Sequence, residues 1–272
     1  MATGKVHFTE EQSTNLATLY GRALDNRLPR PILGDPTAEE TVRKIDYDFG
    51  KFKMKPDMAL SVAMRAKVID ERVRAFLREH PDATVLHLGC GMDSRVYRID
   101  PPRTLRWYDV DYPDVIDLRK QVYPEREGYQ QIGSSVTELD WLERVPADGP
   151  ALVVAEGLTM YLDPEGGRAL LRALAARFPS GEMVFDVFGS LGIKLQKLNP
   201  VVRRAKATLS WGIDDAHELE RLGLTLVEEL DASYFAAEET VSLMSPAMRL
   251  QLKLALMIPL FRNMGRILRY RF

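Results

Sequence analysis

The sequence predicts an α/β fold, a mostly parallel central sheet with helices on both faces, on three observations. Short apolar runs at Thr84–Leu88, Leu105–Val110, Ala151–Ala155 and Glu182–Phe188 alternate with longer segments whose apolar residues recur at three- and four-residue steps. The first run is followed at once by Gly89 and Gly91, the pattern of a buried parallel strand feeding a tight turn. The composition, 46% apolar and 28% charged over 272 residues, is that of a globular chain able to bury a large core.

The elements follow in order. Thr9 to Leu28 carries Leu16, Leu19, Tyr20, Ala23 and Leu24 at helical spacing. Pro29, Pro31 and Pro36 around Asp35 predict an extended loop. Helical periodicity resumes from Met58 to Arg78 and is stopped by His80-Pro81-Asp82. After the strands at Thr84 and Leu105, Tyr112-Pro113-Asp114 opens a helix, and Pro164 to Phe178 forms another before the strand at Glu182. Gly189 to Asp214 breaks the alternation with a basic segment (Lys194, Lys197, Arg203, Arg204, Lys206), read as a cap whose charges form a solvated face. A short helix at Ala216–Leu222, a strand at Leu224–Leu230, a helical tail from Ser245 to Phe261, helical up to Pro259, and a closing strand at Arg266–Phe272 complete the chain.

Several function classes are disfavoured. A net charge of −2 offers no field for nucleic acid. No run of eighteen or more apolar residues and no signal-peptide layout at Met1 to Thr9 predict a cytoplasmic protein without a membrane partner. The single cysteine, Cys90, excludes an intramolecular disulfide framework, and His7, His80, His87 and His217 form no metal-binding spacing.

Four segments carry chemistry. A strand ending in Gly89-Cys90-Gly91 offers bare backbone and the start of a helix to a nucleotide-like ligand. The dinucleotide fingerprint needs a third glycine, and Ser94 stands there instead. Asp93 would set a carboxylate beside a diphosphate, whereas S-adenosylmethionine, with its sulfonium and ammonium groups, tolerates one. About twenty residues on, Tyr108-Asp109-Val110-Asp111 ends the next strand at the spacing of a ribose-binding acid in Rossmann-type folds. Asp109 and Asp111 share a side, and the terminal Asp111 suits a diol, its other reading being a cap for the helix at Pro113. Ser134-Ser135-Val136-Thr137 sits where such sheets hold adenine, or is simply a capped turn. Glu156 ends the apolar run Ala151–Ala155, where a charge is costly unless partnered and where open α/β sheets place ligands.

Taken in order, VLHLGCGMDSRVYRID, WYDVDYPDVIDLRK, GSSVTELDWLERV and AEGLTMYLDPEG resemble the leucine carboxyl methyltransferase family, most of all its bacterial, TcmP-type branch of O-methyltransferases from polyketide pathways. The resemblance extends to ALDNRLPRPILGDPTAEE, RAKVIDERVRAFL and SWGIDDAHELERLGL, nearly the whole chain. It implies a Rossmann-like class I methyltransferase fold in one domain over 1–272. Within it, 1–57 would be a helical extension, 58–188 the cofactor-binding core, 189–222 a cap insertion and 223–272 the completion of the sheet.

The resemblance further implies S-adenosyl-L-methionine as cofactor and S-adenosyl-L-homocysteine as product. Arg65 would pair with the methionine carboxylate, a planar group that a guanidinium can bind at both oxygens. Arg65 lies on the apolar stripe between Val62 and Ile69, although a solvated helix face is its alternative reading. Gly89 and Gly91 would line the methionine portion, Asp111 the ribose and Glu156 the methionine end, with Ser135 and Val136 at the adenine. Where family members often have an acid, this chain has Ser135, so backbone or hydroxyl would make that contact. Cys90 reads as a small filler beside the cofactor, and Tyr161 either faces the acceptor or packs in the core.

Methyl transfer from a sulfonium is an in-line displacement, so the protein must chiefly align the reactants. A carboxylate acceptor, with a pKa of about 4, is already ionised, whereas a phenol, at about 10, needs help. No segment offers a well-placed base, since His87 reads as a core residue and His217 as a solvated one. The expectation is therefore an O-methyltransferase acting on a carboxylate of a small-molecule acceptor. Its alternatives are a phenol or hydroxyl acceptor, methylation of a protein C-terminal carboxylate, an NAD-dependent oxidoreductase and a nucleotide-binding regulatory module.

Overall fold

The computed structural model describes residues 12–195 and 208–272. Seven strands form one sheet: β1 (Thr84–Leu88), β2 (Arg106–Asp111), β3 (Tyr129–Gly133), β4 (Ala151–Ala155), β5 (Gly181–Phe188), β6 (Thr225–Leu230) and β7 (Gly265–Arg271). Their order is β3-β2-β1-β4-β5-β7-β6, and β7 alone runs antiparallel to its neighbours. Strand order reverses between β1 and β4, which creates a crevice at their carboxyl ends.

The α/β expectation holds, with two corrections and two refinements. Pro36 begins helix α2 (Pro36–Lys44) where an extended loop was expected, because proline's fixed φ suits a first helical turn and Asp35 caps it by accepting from the Ala38 amide. Strand β3 was not anticipated; Gln130 and Gln131 interrupt its apolar pattern, and only Ile132 is buried. Ala216–Leu222 winds as a 3₁₀ helix capped by Asp215. The helical tail is broken at Ile258, the residue before Pro259, into two separate helices. The basic residues Lys197, Arg203, Arg204 and Lys206 of the expected cap, and Thr9 at the expected start of the first helix, lie outside the described residues.

Strand alternation divides the core. Leu86, Leu88, Tyr108, Val110, Val153 and Phe185 face one way, against Leu170, Leu171 and Leu174 of a helix spanning Pro164–Arg177 and against Trp211 and Ile213. Val85, Trp107, Leu152, Val154 and Val184 face the other way, against Met64, Ile69, Val73 and Phe76 of a long helix, Pro56–Glu79. A third cluster joins Leu16, Leu19 and Ala23 of helix α1 (Gln12–Asp25) to Phe49, Phe52, Met92 and Leu118, so the N-terminal helices sit on the loop that follows β1. With α1 and α2, the Pro56–Glu79 helix becomes α3; those at Arg95–Ile99, Pro113–Val122 and Pro164–Arg177 are α4, α5 and α6. No described helix is long and apolar enough to cross a membrane.

Gly167 of α6 lies flat against Trp211, and a Cβ built there would overlap the indole ring. Gly167→Ala is expected to cost about 1–3 kcal/mol through overpacking. Thermal unfolding should show this as a Tm fall of about 2–4 °C per kcal/mol; an unchanged Tm would mean that the indole moves aside freely.

Candidate active site

The loop after β1 takes its shape from two left-handed glycines, Gly89 at φ +57° and Gly91 at φ +48°. The space beside each is filled by protein: a Cβ on Gly89 would come within 2.8 Å of Leu158, and one on Gly91 within 2.7 Å of Asn15 in α1. Cys90 between them is buried, and burial pushes its thiol well up, so it is a filler and not a thiolate.

At the end of β2, Asp111 accepts from the Gly91 amide (2.6 Å) and the Tyr112 amide (2.8 Å). Asp111 thus joins the glycine loop to the residue before α5, without capping that helix. Burial raises its carboxyl even against these two donors. Asp109, two residues earlier, is fully enclosed by Arg119, His87 (3.2 Å), the Trp107 indole (2.8 Å) and the Tyr129 hydroxyl (2.6 Å). Burial works against its charge, yet Arg119 and His87 hold the carboxyl below its ordinary range. Arg119 also donates to the Gly91 and Asp93 carbonyls, which makes Asp109 a support under the loop.

Glu156, at the end of β4, is the hub. Its Oε1 accepts from Arg22 (2.9 Å) and Arg65 (3.1 Å), and its Oε2 from Arg95 (2.5 Å). Burial alone would raise this carboxyl, but Arg22, Arg65 and Arg95 lower it to about 2. The network spreads outward: Asp93 lies 3.3 Å from Arg22, 3.4 Å from Arg95 and 3.0 Å from Arg98, and Asp70 binds Arg95 (2.8 Å) and Arg98 (2.6 Å). Asp35 takes Arg98 (2.7 Å), and Asp186 of β5 takes Arg65 (2.9 Å) and the Gly157 amide (2.6 Å). Four guanidiniums (Arg22, Arg65, Arg95, Arg98) thereby face five carboxylates (Asp35, Asp70, Asp93, Glu156, Asp186), the exposed Arg74 reaching only the edge of Asp70 at 3.9 Å.

The Ser134–Thr137 turn adjoins Asp111, whose carbonyl accepts from the Ser134 amide (2.9 Å). The Ser135 hydroxyl lies 3.0 Å from that of Thr137, and buried Val136 gives its carbonyl to the Trp141 indole (3.1 Å). Tyr161 is half-buried beside Met160, Leu209, Phe188 and Ile193, at the same edge of the sheet. A separate shallow cleft of about 660 Å³, lined by Tyr97, Pro101 and Pro124, lies at the amino ends of β2 and β3, away from this constellation.

The structure therefore gathers Arg65, Gly89, Cys90, Gly91, Asp111, Ser135, Val136 and Glu156 at the carboxyl edge. Sequence reasoning missed Arg22, Arg95, Arg98, Asp35, Asp70 and Asp186. Two of these carried a usable signal: Arg22 lies on an apolar helical stripe between Leu19 and Ala23, as Arg65 does, and Asp186 interrupts an apolar strand, as Glu156 ends one.

The donor set is chemically compatible with S-adenosylmethionine: Asp111 could face a diol, Glu156 an ammonium and Arg65 a carboxylate. The sheet order and these groups are those that a S-adenosylmethionine-dependent methyltransferase would use. Residues 15–175 match the leucine carboxyl methyltransferase family, and the chain belongs to that family. A Streptomyces glaucescens protein named tetracenomycin polyketide synthesis O-methyltransferase TcmP is 45% identical over 273 residues, 98% of each chain. The Gibberella zeae S-adenosyl-L-methionine-dependent methyltransferase dpfgK is 37% identical over 238 residues, 80% of each. Among solved structures, magnesium protoporphyrin IX methyltransferase from Synechocystis, with bound S-adenosylhomocysteine, shares the fold at a TM-score of 0.50 and 14% identity, covering 87% of this chain and 95% of its own. A DUF574 family protein from Streptomyces avermitilis does so at a TM-score of 0.59 and 13% identity, covering 93% and 96%. The chain is a S-adenosylmethionine-dependent O-methyltransferase.

Glu156→Gln is expected to destabilise the fold by about 3–5 kcal/mol at neutral pH, because it removes the charge shared by three guanidiniums. A folded-state pKa of about 2 against an ordinary 4.5 means that this contribution is present above pH 4.5 and is lost as pH falls toward 2. Denaturant titration of both proteins at pH 7 and at pH 4 checks it; the gap between them should narrow at the lower pH.

Proposed function

We propose that this enzyme methylates a carboxylate of a small, polyketide-like metabolite, giving a methyl ester. The observation that carries the proposal is that, among the described residues, the acids and the histidine nearest Glu156 are already engaged in ion pairs or hydrogen bonds. Glu156, Asp93 and Asp186 are held by guanidiniums. His87 is enclosed between Asp109 and Arg95 (3.3 Å), and the exposed His217 pairs with Glu220 (3.1 Å). A phenol of pKa about 10 would need such a base, while a carboxylate of pKa about 4 arrives as its own nucleophile. The family name supports carboxyl chemistry, and the relative's name a polyketide-like acceptor.

The bound cofactor supplies a methyl group on a sulfonium, an electrophile needing no activation. Arg65 would take the methionine carboxylate, and Glu156 the ammonium. Asp111 holds the ribose hydroxyls, and the turn at Ser135 and Val136 holds the adenine. Tyr161 borders the acceptor. When bound, the cofactor would give its methyl to the carboxylate oxygen, the carbon–sulfur electron pair going to sulfur. The ester and neutral thioether leave the buried ion cluster unchanged, so its ordering is complete before reaction and no protein group exchanges a proton.

Two outcomes are expected. With labelled methyl donor and metabolite extract, the product label is released by mild base, and kcat/KM for the purified acceptor is flat from about pH 6 to about pH 9; a base-stable ether, or a rate rising with pH, overturns the carboxylate assignment. Asp111→Asn should weaken S-adenosylhomocysteine by about 10- to 100-fold in calorimetry, the scale of a hydrogen bond to a charged group; unchanged affinity would remove Asp111 from the ribose.

A further inference from the structure

Asp186 is an acid in the middle of an apolar strand, Met183-Val184-Phe185-Asp186-Val187-Phe188, and it is 4% exposed. An apolar residue would serve the sheet better, since an enclosed carboxylate loses hydration that only specific partners restore. Its two oxygens make two separate contacts. Oδ2 binds Arg65 Nη1 at 2.9 Å, and Oδ1 accepts from the Gly157 amide at 2.6 Å. The Asp186 carbonyl accepts from the Thr159 hydroxyl at 2.5 Å, which ties the same turn to β5 again. Gly157 is in the left-handed region at φ +70°, and a Cβ there would meet the Arg65 guanidinium at 3.5 Å. Arg65 Nε is meanwhile on Glu156 at 3.1 Å, so its plane is fixed at two points by two acids from adjacent strands.

We propose that Asp186 is a positioning residue for the cofactor, acting through the Arg65 guanidinium and the Gly157 amide. Glu156 alone would leave that guanidinium free to rotate about one contact. Asp186 supplies the second contact and, through Gly157, keeps the Glu156 turn in register with it. Burial raises the Asp186 carboxyl against the pull of Arg65, so the pair is held by geometry in an enclosed place and not by an intrinsically strong acid. The inference rests on the reading that Arg65 receives the methionine carboxylate.

The test is calorimetric binding of S-adenosylhomocysteine and of 5′-methylthioadenosine, which lacks the amino-acid carboxylate, to wild type, Asp186→Asn, Arg65→Met and the double variant. Each single change should weaken S-adenosylhomocysteine by about tenfold or more. The double variant should be no weaker than the poorer single one within about twofold, the mark of residues acting as a unit. Methylthioadenosine should bind all four proteins alike. If Asp186→Asn does not fold, Asp186→Glu, which keeps the charge and displaces it, enters the same cycle under the same criterion. Wild-type affinity in Asp186→Asn beside a weakened Arg65→Met overturns the positioning role alone, as do additive losses or an equal loss for methylthioadenosine. Unchanged affinity in Arg65→Met overturns the carboxylate reading of Arg65, and the role of Asp186 with it.

Discussion

The rest of the structure depends on one buried carboxylate, Glu156, shared by three guanidiniums from three helices: Arg22 of α1, Arg65 of α3 and Arg95 of α4. Each ion in such an assembly loses hydration worth several kcal/mol, and the mutual attraction offsets that only when geometry is good. Net stability is therefore a poor explanation for the cluster; the three apolar cores supply that. What the cluster supplies is uniqueness of arrangement. Among the described residues Arg22 pairs with Glu156 and Asp93, which ties α1 to the carboxyl edge of the sheet.

That arrangement suits a zwitterionic ligand. An ammonium and a carboxylate arriving together can exchange partners with an internal Arg–Glu pair while the number of ion pairs is conserved, and so little new desolvation is needed. Water would reorganise around such a ligand, whereas fixed guanidiniums and acids do not, and this is the condition under which electrostatic preorganisation is effective.

The order of the elements was legible because it follows from period and punctuation: β1, β2, β4 and β5 are apolar runs bounded by turn residues, and α3 and α6 are long amphipathic segments. β3 was not legible, since Gln130 and Gln131 lie in an edge strand whose partner, β2, is remote in sequence. For the site, Gly89, Asp111 and Glu156 could be found because each ends a strand or begins its turn, and strand ends converge in this topology. Arg22, Asp35 and Asp70 reach the same place from helices at separations such as the 134 residues between Arg22 and Glu156, and no local pattern encodes that meeting. Arg65 was assigned through the family resemblance, with its place on an apolar stripe as support; the same stripe argument applied to Arg22 would have found it as well.

The two glycines after β1 are required by packing as well as by any ligand. Glycine at these positions fits an expectation of bare backbone against a ligand, yet the directions a Cβ would take are occupied by Leu158 and Asn15. A larger residue at Gly91 would press on α1 first, and so would disturb Arg22 and through it Glu156. A larger residue at Gly89 would press on Leu158, two residues from Glu156. The loop's shape is thus imposed by close packing on both sides of the ion cluster, so glycine loop and charged hub form a single mechanical unit. Its rigidity follows from the packing, and its affinity for a charged nucleoside follows from the charges that the packing holds still.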